Sequence, residues 1–337
     1  MLAKQYKAQG LKLSVLLSIL GLTRHQFYYT PTGNPKGKQA STVTLYRNHK
    51  TKELIEVPNE KMIETIISIK QNPDLGNWYR LITYSLQVRG YYINHKKVYR
   101  LMKEYHLLEE AKRKKGRKFV QFRRVTPEGP LCVLEMDIKY IWIEGKGCYA
   151  YILSVIDTFT RYILHWKVGY SMREAQVKQV WDYIIPTYLQ PADMLSKKIQ
   201  IEVRNDNGKQ FSSTMVQEYF KTNYLGQVFT HPYTPEENGH IESFHSTLGK
   251  ALKDESYKNL EQVENRLKRF YTTYNNLRQH GSTAMLSPSM FWALYEDKQI
   301  TVEKLSKKRV KFKLNIAYQD VLSWQNVHRY KYPWKMA

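Results

Sequence analysis

Between residues 131 and 168 three runs of β-forming residues follow one another with only short turns between them, and this stretch constrains the fold most. Residues 133–143 and 148–156 flank Gly145-Lys146-Gly147, a hairpin signal, and residues 161–168 make a third strand. Strands joined this tightly are antiparallel neighbours and need helices to cover their apolar faces. The following residues supply them. Ser171 with Glu174 reads as a capping box that opens a helix to about residue 188. A fourth strand follows at 199–205, Ser213 caps a helix to 223, and a short fifth strand spans 226–230. After the loop at 231–237, with Pro232 and Pro235, a long helix runs to about 254. The order predicts an α/β fold, with a five-stranded mixed sheet flanked by helices, over residues 127–256.

The chain upstream reads as helical. Leu11, Leu13, Val15, Leu16, Ile19 and Leu20 are apolar at helical spacing, Gly21 breaks the run, and Thr23 can cap a second helix through Tyr29. That is helix-turn-helix grammar for residues 1–30. Residues 31–58, with Pro31, Gly33, Pro35, Gly37 and Pro58, read as a linker. Residues 59–111 carry three helices of a second helix-turn-helix domain. Their apolar sides are Met62, Ile63, Ile66, Ile67 and Ile69, then Trp78, Ile82 and Leu86, then Val98, Leu101, Met102 and Tyr105 behind the cap Asn94. Lys96, Lys97 and Arg100 charge the outer face of the third helix, as a DNA reader requires. Residues 112–126 are a basic linker. Its Arg113, Lys114, Lys115, Arg117 and Lys118 are too costly to bury and are expected along phosphates. Residues 257–337 form a helical and basic C-terminal region, in which 310–314 alternate as a strand does.

Charge narrows the function. Fifty-three lysines and arginines against 30 acids give +23, which argues against an ordinary metabolic enzyme and for a polyanionic partner. No apolar run approaches the length of a membrane span, and Cys132 and Cys148 give no disulfide framework. The expectation is a cytoplasmic, nucleoid-associated protein with no membrane partner.

Three carboxylates carry the candidate chemistry. Asp137 interrupts an apolar strand, where a charge is expensive unless paired or metal-bound. Asp206 follows the fourth strand, at the end of a sheet where ligands bind. Glu242 lies in the opening turn of a helix, with 35 residues between it and Asp206. Converging, the three can hold two Mg²⁺ or Mn²⁺ ions for an in-line phosphoryl displacement.

The words around these acids carry a resemblance. The strand-helix order resembles ribonuclease-H-like nucleases, and the D-35-E spacing resembles DDE recombinases. The chain is most similar to second-frame transposases of the insertion-sequence-three family. Asp137-Ile138-Lys139-Tyr140, Val155-Ile156-Asp157 with Arg161, and Asp206-Asn207-Gly208-Lys209-Gln210-Phe211 match that family's strand words. Asn238 to Phe244 matches N-A/G-x-x-E-S-F, and Tyr274, Asn275, Arg278 and His280, followed by Ser287-Pro288, match Y-N-x-x-R-x-H. Residues 76–108 resemble its helix-turn-helix, and the likeness runs from about 11 to 291. It implies a ribonuclease-H-like core with Asp137, Asp206 and Glu242 as catalytic and metal-binding residues of a Mg²⁺-dependent polynucleotidyl transferase. That enzyme would bind double-stranded element ends, cleave them, and join the 3′ hydroxyl to target DNA. It implies self-assembly on paired ends and an upstream-frame partner protein. Related enzymes often carry lysine seven residues after the helix glutamate. Here that position is Gly249, so Lys250 beside it is the expected DNA contact, with Arg278 a further one. An inert core acting as a DNA-binding regulator is the competing reading, and only the enzyme needs all three acids.

Asp157 is a fourth tempting carboxylate. If Gly145-Lys146 centre the turn, Asp137 faces Ser154, and Asp157 lies three residues on, about 10 Å away and on the opposite sheet face. Its expected role is structural, accepting turn N–H groups or pairing with Arg161.

Overall fold

Strand pairing in the computed structural model follows the hairpin registration. The structure describes residues 2–29, 40–109, 125–195, 201–231, 237–306 and 309–323. β-Forming residues at 133–168 build three antiparallel strands, Val133–Ile143, Cys148–Asp157 and Ile163–Gly169. Two more, Ile201–Asn205 and Leu225–Phe229, run parallel to the first. Numbered along the whole chain these are β4 to β8, in sheet order β6-β5-β4-β7-β8.

Alternation along β4 separates the two faces. Leu134 and Met136 join one core with Val177, Val180 and Trp181 of α7 (Glu174–Ile184) and Val216 and Phe220 of α8 (Thr214–Thr222). Ile143 and, partly buried, Ile141 face the other core. There Ile241, Phe244 and Leu248 of α9 (Gly239–Ala251) meet Val263, Leu267 and Phe270 of α10 (Leu260–Asn276). The result is a three-layer α/β/α ribonuclease-H-like core, as its strand order predicts. The helix after β6 starts at Glu174 itself. The Arg173 amide donates to Gln176 Oε1, so Ser171 and Glu174 are not the capping pair.

Residues 1–42 form one compact unit and 43–337 another. In the first, α1 (Leu2–Ala8) precedes α2 (Leu13–Leu20), which ends on Gly21 at φ 61°, a left-handed conformation that suits glycine. Thr23 caps α3 (Arg24–Tyr28) in a capping box with Gln26.

In the second unit, residues 43–58 are not linker. Val43–Arg47 (β1) pairs with Leu54–Pro58 (β2) on one side and with Tyr91–Tyr92 (β3) on the other. Five-residue strands with half-exposed faces leave a weak local pattern, and pairing with β3 is non-local. The three helices form as expected: α4 (Asn59–Gln71), α5 (Tyr79–Val88) and α6 (His95–Glu104), with Asn94 accepting from the Lys97 amide. Ile82 and Leu86 are fully buried, but Trp78 stands 48% exposed at the α5 N-cap, beside Arg80. Tyr105, just past α6, is likewise exposed.

Several side-chain ties bind these helices and strands to the rest of the unit. Arg266 of α10 donates to both oxygens of Asp74, at 2.6 and 3.0 Å, and through Nε to Glu255. Arg47 pairs with Asp320 at 2.7 Å. Downstream, α11 (Pro288–Glu296) leads into the antiparallel pair β9 (Ile300–Ser306) and β10 (Arg309–Leu314), the alternating stretch read as a strand.

Candidate active site

Asp137 stands in the middle of β4 and faces Ser154 of β5, the register expected from the turn. Parallel pairing sets Glu135 level with Arg204 of β7. Continuing that register by two residues brings Asp206, just past the end of β7, level with Asp137. Adjacent strands lie about 4.8 Å apart, so the two carboxylates are neighbours. Burial, and then the charge of Asp137, hold the Asp206 carboxyl above the usual carboxylate range. The Gly208 amide donates to Asp206 Oδ1 at 3.0 Å, and a side chain at 208 would press against that oxygen. Asp137 accepts from its own neighbour, the Ile138 amide, at 2.7 Å, and its other oxygen lies 3.2 Å from His245 Nδ1.

Glu242 sits in the first turn of α9, solvent-exposed, three residues before buried His245. Side chains three apart on a helix are neighbours, so the His245 contact brings the Glu242 face of α9 towards Asp137. The structure therefore sets Asp206 near enough to Asp137 to feel its charge, and carries the glutamate on the adjoining helix. Among the described residues no three acidic, histidine or cysteine side chains close on a common metal position. His240 and His245 make separate contacts, with Glu135 and Asp137.

Glu135 is the residue that sequence reasoning missed. Asn238, at the N-cap of α9, makes no side-chain cap bond. The carboxylate of Glu135, wholly buried on β4, takes that place. It accepts from the amides of His240 at 3.0 Å and Ile241 at 2.8 Å, and lies 2.6 Å from His240 Nδ1. An acid aimed at two free amides of a helix N-terminus is stabilised by them and by the helix dipole. The signal was present: a second charge within Leu134-Glu135-Met136 carries the same burial cost that singles out Asp137.

Asp157 is separate from this site. It pairs with Leu134 at the other end of the hairpin, and its neighbours of like parity, Leu153 and Val155, face the opposite core. Its carboxylate accepts from the amides of Leu131 and Thr160, at 3.1 and 2.9 Å, and from the Thr160 hydroxyl. Arg161 turns instead to the Thr158 carbonyl and to Ser282. Asp157→Asn leaves the Thr160 amide facing an amide group and should cost about 1–3 kcal/mol. Thermal melts should register that loss while any metal-dependent DNA cleavage persists. Loss of cleavage in a well-folded Asp157→Asn protein would put Asp157 in the site.

The expected DNA contacts divide. Lys96 and Lys250 are exposed. Lys97 is committed to the Val43 carbonyl at 2.6 Å, Arg100 lies 3.7 Å from Glu104, and Arg278 donates to the Asp74 carbonyl at 2.6 Å. Arg113, Lys114, Lys115, Arg117 and Lys118 lie outside the described residues. No helix among the described residues is long and apolar enough to cross a membrane.

Two family models, each described as Integrase core domain, match residues 127–235 and 225–288. An uncharacterized 39.2 kDa protein of insertion element IS476 from Xanthomonas euvesicatoria is 25% identical over 209 residues, 61% of this chain and 58% of that protein. The transposase for insertion sequence element IS904 from Lactococcus lactis is 25% identical over 157 residues, 46% of this chain and 58% of that protein. The matches thus span little more than half the length of these relatives. Among solved structures, a simian T-cell lymphotropic virus intasome, in complex with a PP2A regulatory subunit, contains a chain aligning at TM-score 0.40 and 15% identity. That alignment covers 67% of this chain and 74% of that one. Over residues 127–288 this chain is similar to integrase core domains, and it is similar to insertion-element proteins, one of them a transposase.

Proposed function

We propose that the protein is a transposase that cuts the ends of an insertion element and joins them to target DNA. The observation that carries the reading is the closeness of Asp206, just past the end of β7, to the charge of Asp137 on β4, in a chain of net charge +23. Like charges this close are held apart from their preferred state unless a cation lies between them. The donors are hard carboxylate oxygens, which suit Mg²⁺ or Mn²⁺. Asp137 and Asp206 would hold such ions together with Glu242, which α9 carries towards them. The chemistry they supply when bound is activation of the attacking oxygen and stabilisation of the leaving one, with two ions as the fitting number.

The chain's own residues do the rest. Glu135 fixes the start of α9 and so the pose of Glu242. His245 holds Asp137 from the helix side. Water attacks the phosphodiester at the element end, the bond to the 3′ oxygen breaks, and the freed 3′ hydroxyl then attacks a target phosphodiester in the same way. The test is direct: the protein is mixed with duplexes carrying the element's ends and a target plasmid, in Mg²⁺ and in chelator. Joined product should form in Mg²⁺ alone.

Binding to DNA rests on the basic residues. Lys96 of α6, Lys250 of α9 and the run at 112–118 are the contacts in this reading. Neutralising four of Arg113, Lys114, Lys115, Arg117 and Lys118 should weaken binding to every sequence. The log–log salt slope should shrink by about 3.6. An unchanged slope would mean that the run does not touch phosphates. Assembly takes place on paired ends. An upstream-frame partner is a further component of this reading.

A further inference from the structure

Lysine at 139 occupies space that a glycine leaves empty on α9. Odd-numbered residues of β4 face that helix: Glu135 caps it, Asp137 meets His245, and Ile141 and Ile143 enter its core. Lys139 shares this face. A Cβ built on Gly249 would lie 3.2 Å from Lys139 Nζ and 3.3 Å from its Cε. The ammonium therefore rests against the backbone of α9, and a side chain at 249 would crowd it by a few tenths of an ångström. Glycine inside a helix is the poorest choice after proline, and this one makes room for a cation.

Position matters as much as space. Gly249 is seven residues beyond Glu242, which at about 100° per residue returns to within about 20° of the same helix face. Lys250, by the same count, is turned about 80° away. Along β4, Lys139 is two residues, about 7 Å, past Asp137. Among the described residues Lys139 makes no ion pair and no side-chain hydrogen bond. It is partly buried, in a groove of about 340 Å³ between β4 and α9 that is also lined by Ile141, Leu252 and Tyr257. Two acids share the groove: Glu255, held by Arg266, and exposed Glu144. A cation kept partly dry without a partner favours an anion arriving from outside.

We infer that Lys139, seated over Gly249, grips the DNA backbone beside the reacting phosphate at Asp137 and Asp206. The inference rests on the transposase reading, and makes Lys139 a positioning residue for the strand being cut or joined.

The experiment moves the charge. Binding of an element-end duplex is measured across a salt series without divalent metal, and joining is measured in Mg²⁺. Lys139→Gln should lower the salt slope by about 0.9 and slow joining by about tenfold, while Lys139→Arg keeps the slope. Adding Gly249→Lys to Lys139→Gln returns an ammonium to the same groove from the helix, and should restore slope and joining together. Thermal melts confirm that each variant is folded. A Lys139→Gln protein with unchanged slope and joining overturns the inference. So does a folded Lys139→Gln/Gly249→Lys protein no better than Lys139→Gln alone. If wild type binds ends but never joins them, the transposase reading fails, and the metal-free slopes still decide whether Lys139 contacts DNA.

Discussion

Asp206→Asn should lose end cleavage and joining together, by on the order of 10³-fold or more, while binding element ends nearly as tightly as wild type. The amide keeps the shape and can still accept the Gly208 amide, so the turn after β7 survives. What disappears is one of two adjacent negative charges, and with it the reason for a divalent cation to bind. Thermal melts give an independent check. Mg²⁺ should raise the wild-type midpoint by mass action and leave the Asp206→Asn midpoint where it was. Joining by the variant at the wild-type rate would remove Asp206 from the site.

Glu135→Ala should be the most destabilising single change in the core outside the apolar positions. It strips acceptors from the amides of His240 and Ile241 and from the His240 ring, all at a helix end buried against β4. Each unsatisfied donor costs about 1–3 kcal/mol, and losing a charge at a helix N-terminus adds to that. A total of about 3–5 kcal/mol is a large share of the roughly 5–15 kcal/mol that holds a domain folded. Denaturant midpoints should fall accordingly. Glu135→Gln, which keeps one acceptor, should fall between the two. Because α9 carries Glu242 and His245, joining should drop in both variants, less in Glu135→Gln. A Glu135→Ala protein as stable as wild type would mean that α9 is held by its apolar face alone.

The contrast between Glu135 and Asp137 shows what could be read from residues alone. Asp137 was found because its charge interrupts an apolar strand, and its partner Ser154 followed because the turn at Gly145-Lys146 fixes the register by local geometry. Asp157 was set aside by the same parity. The partners of Glu135 lie more than 100 residues away on a helix, and no local pattern announces such a tertiary cap. The same limit hid the β1–β2–β3 sheet, whose third strand follows two helices. It also hid the commitment of Lys97 and Arg278 to carbonyls of distant segments. Trp78 failed differently: its helical spacing is right, but it sits at the N-cap, before the helix has turned its face inward. Lys139 and Gly249 are each ordinary in the sequence, and only the packing of β4 on α9 brings them together.

If Asp137, Asp206 and Glu242 act on DNA through a hard divalent cation, changing ligand and metal together should change activity in step. Asp206→Cys replaces a carboxylate oxygen with sulfur, which suits Mg²⁺ poorly, whereas Mn²⁺ accepts softer ligands. Joining of element-end duplexes should vanish for this variant in Mg²⁺ and return in part in Mn²⁺, with wild type active in both. Joining by Asp206→Cys in Mg²⁺ at the wild-type rate would contradict the account.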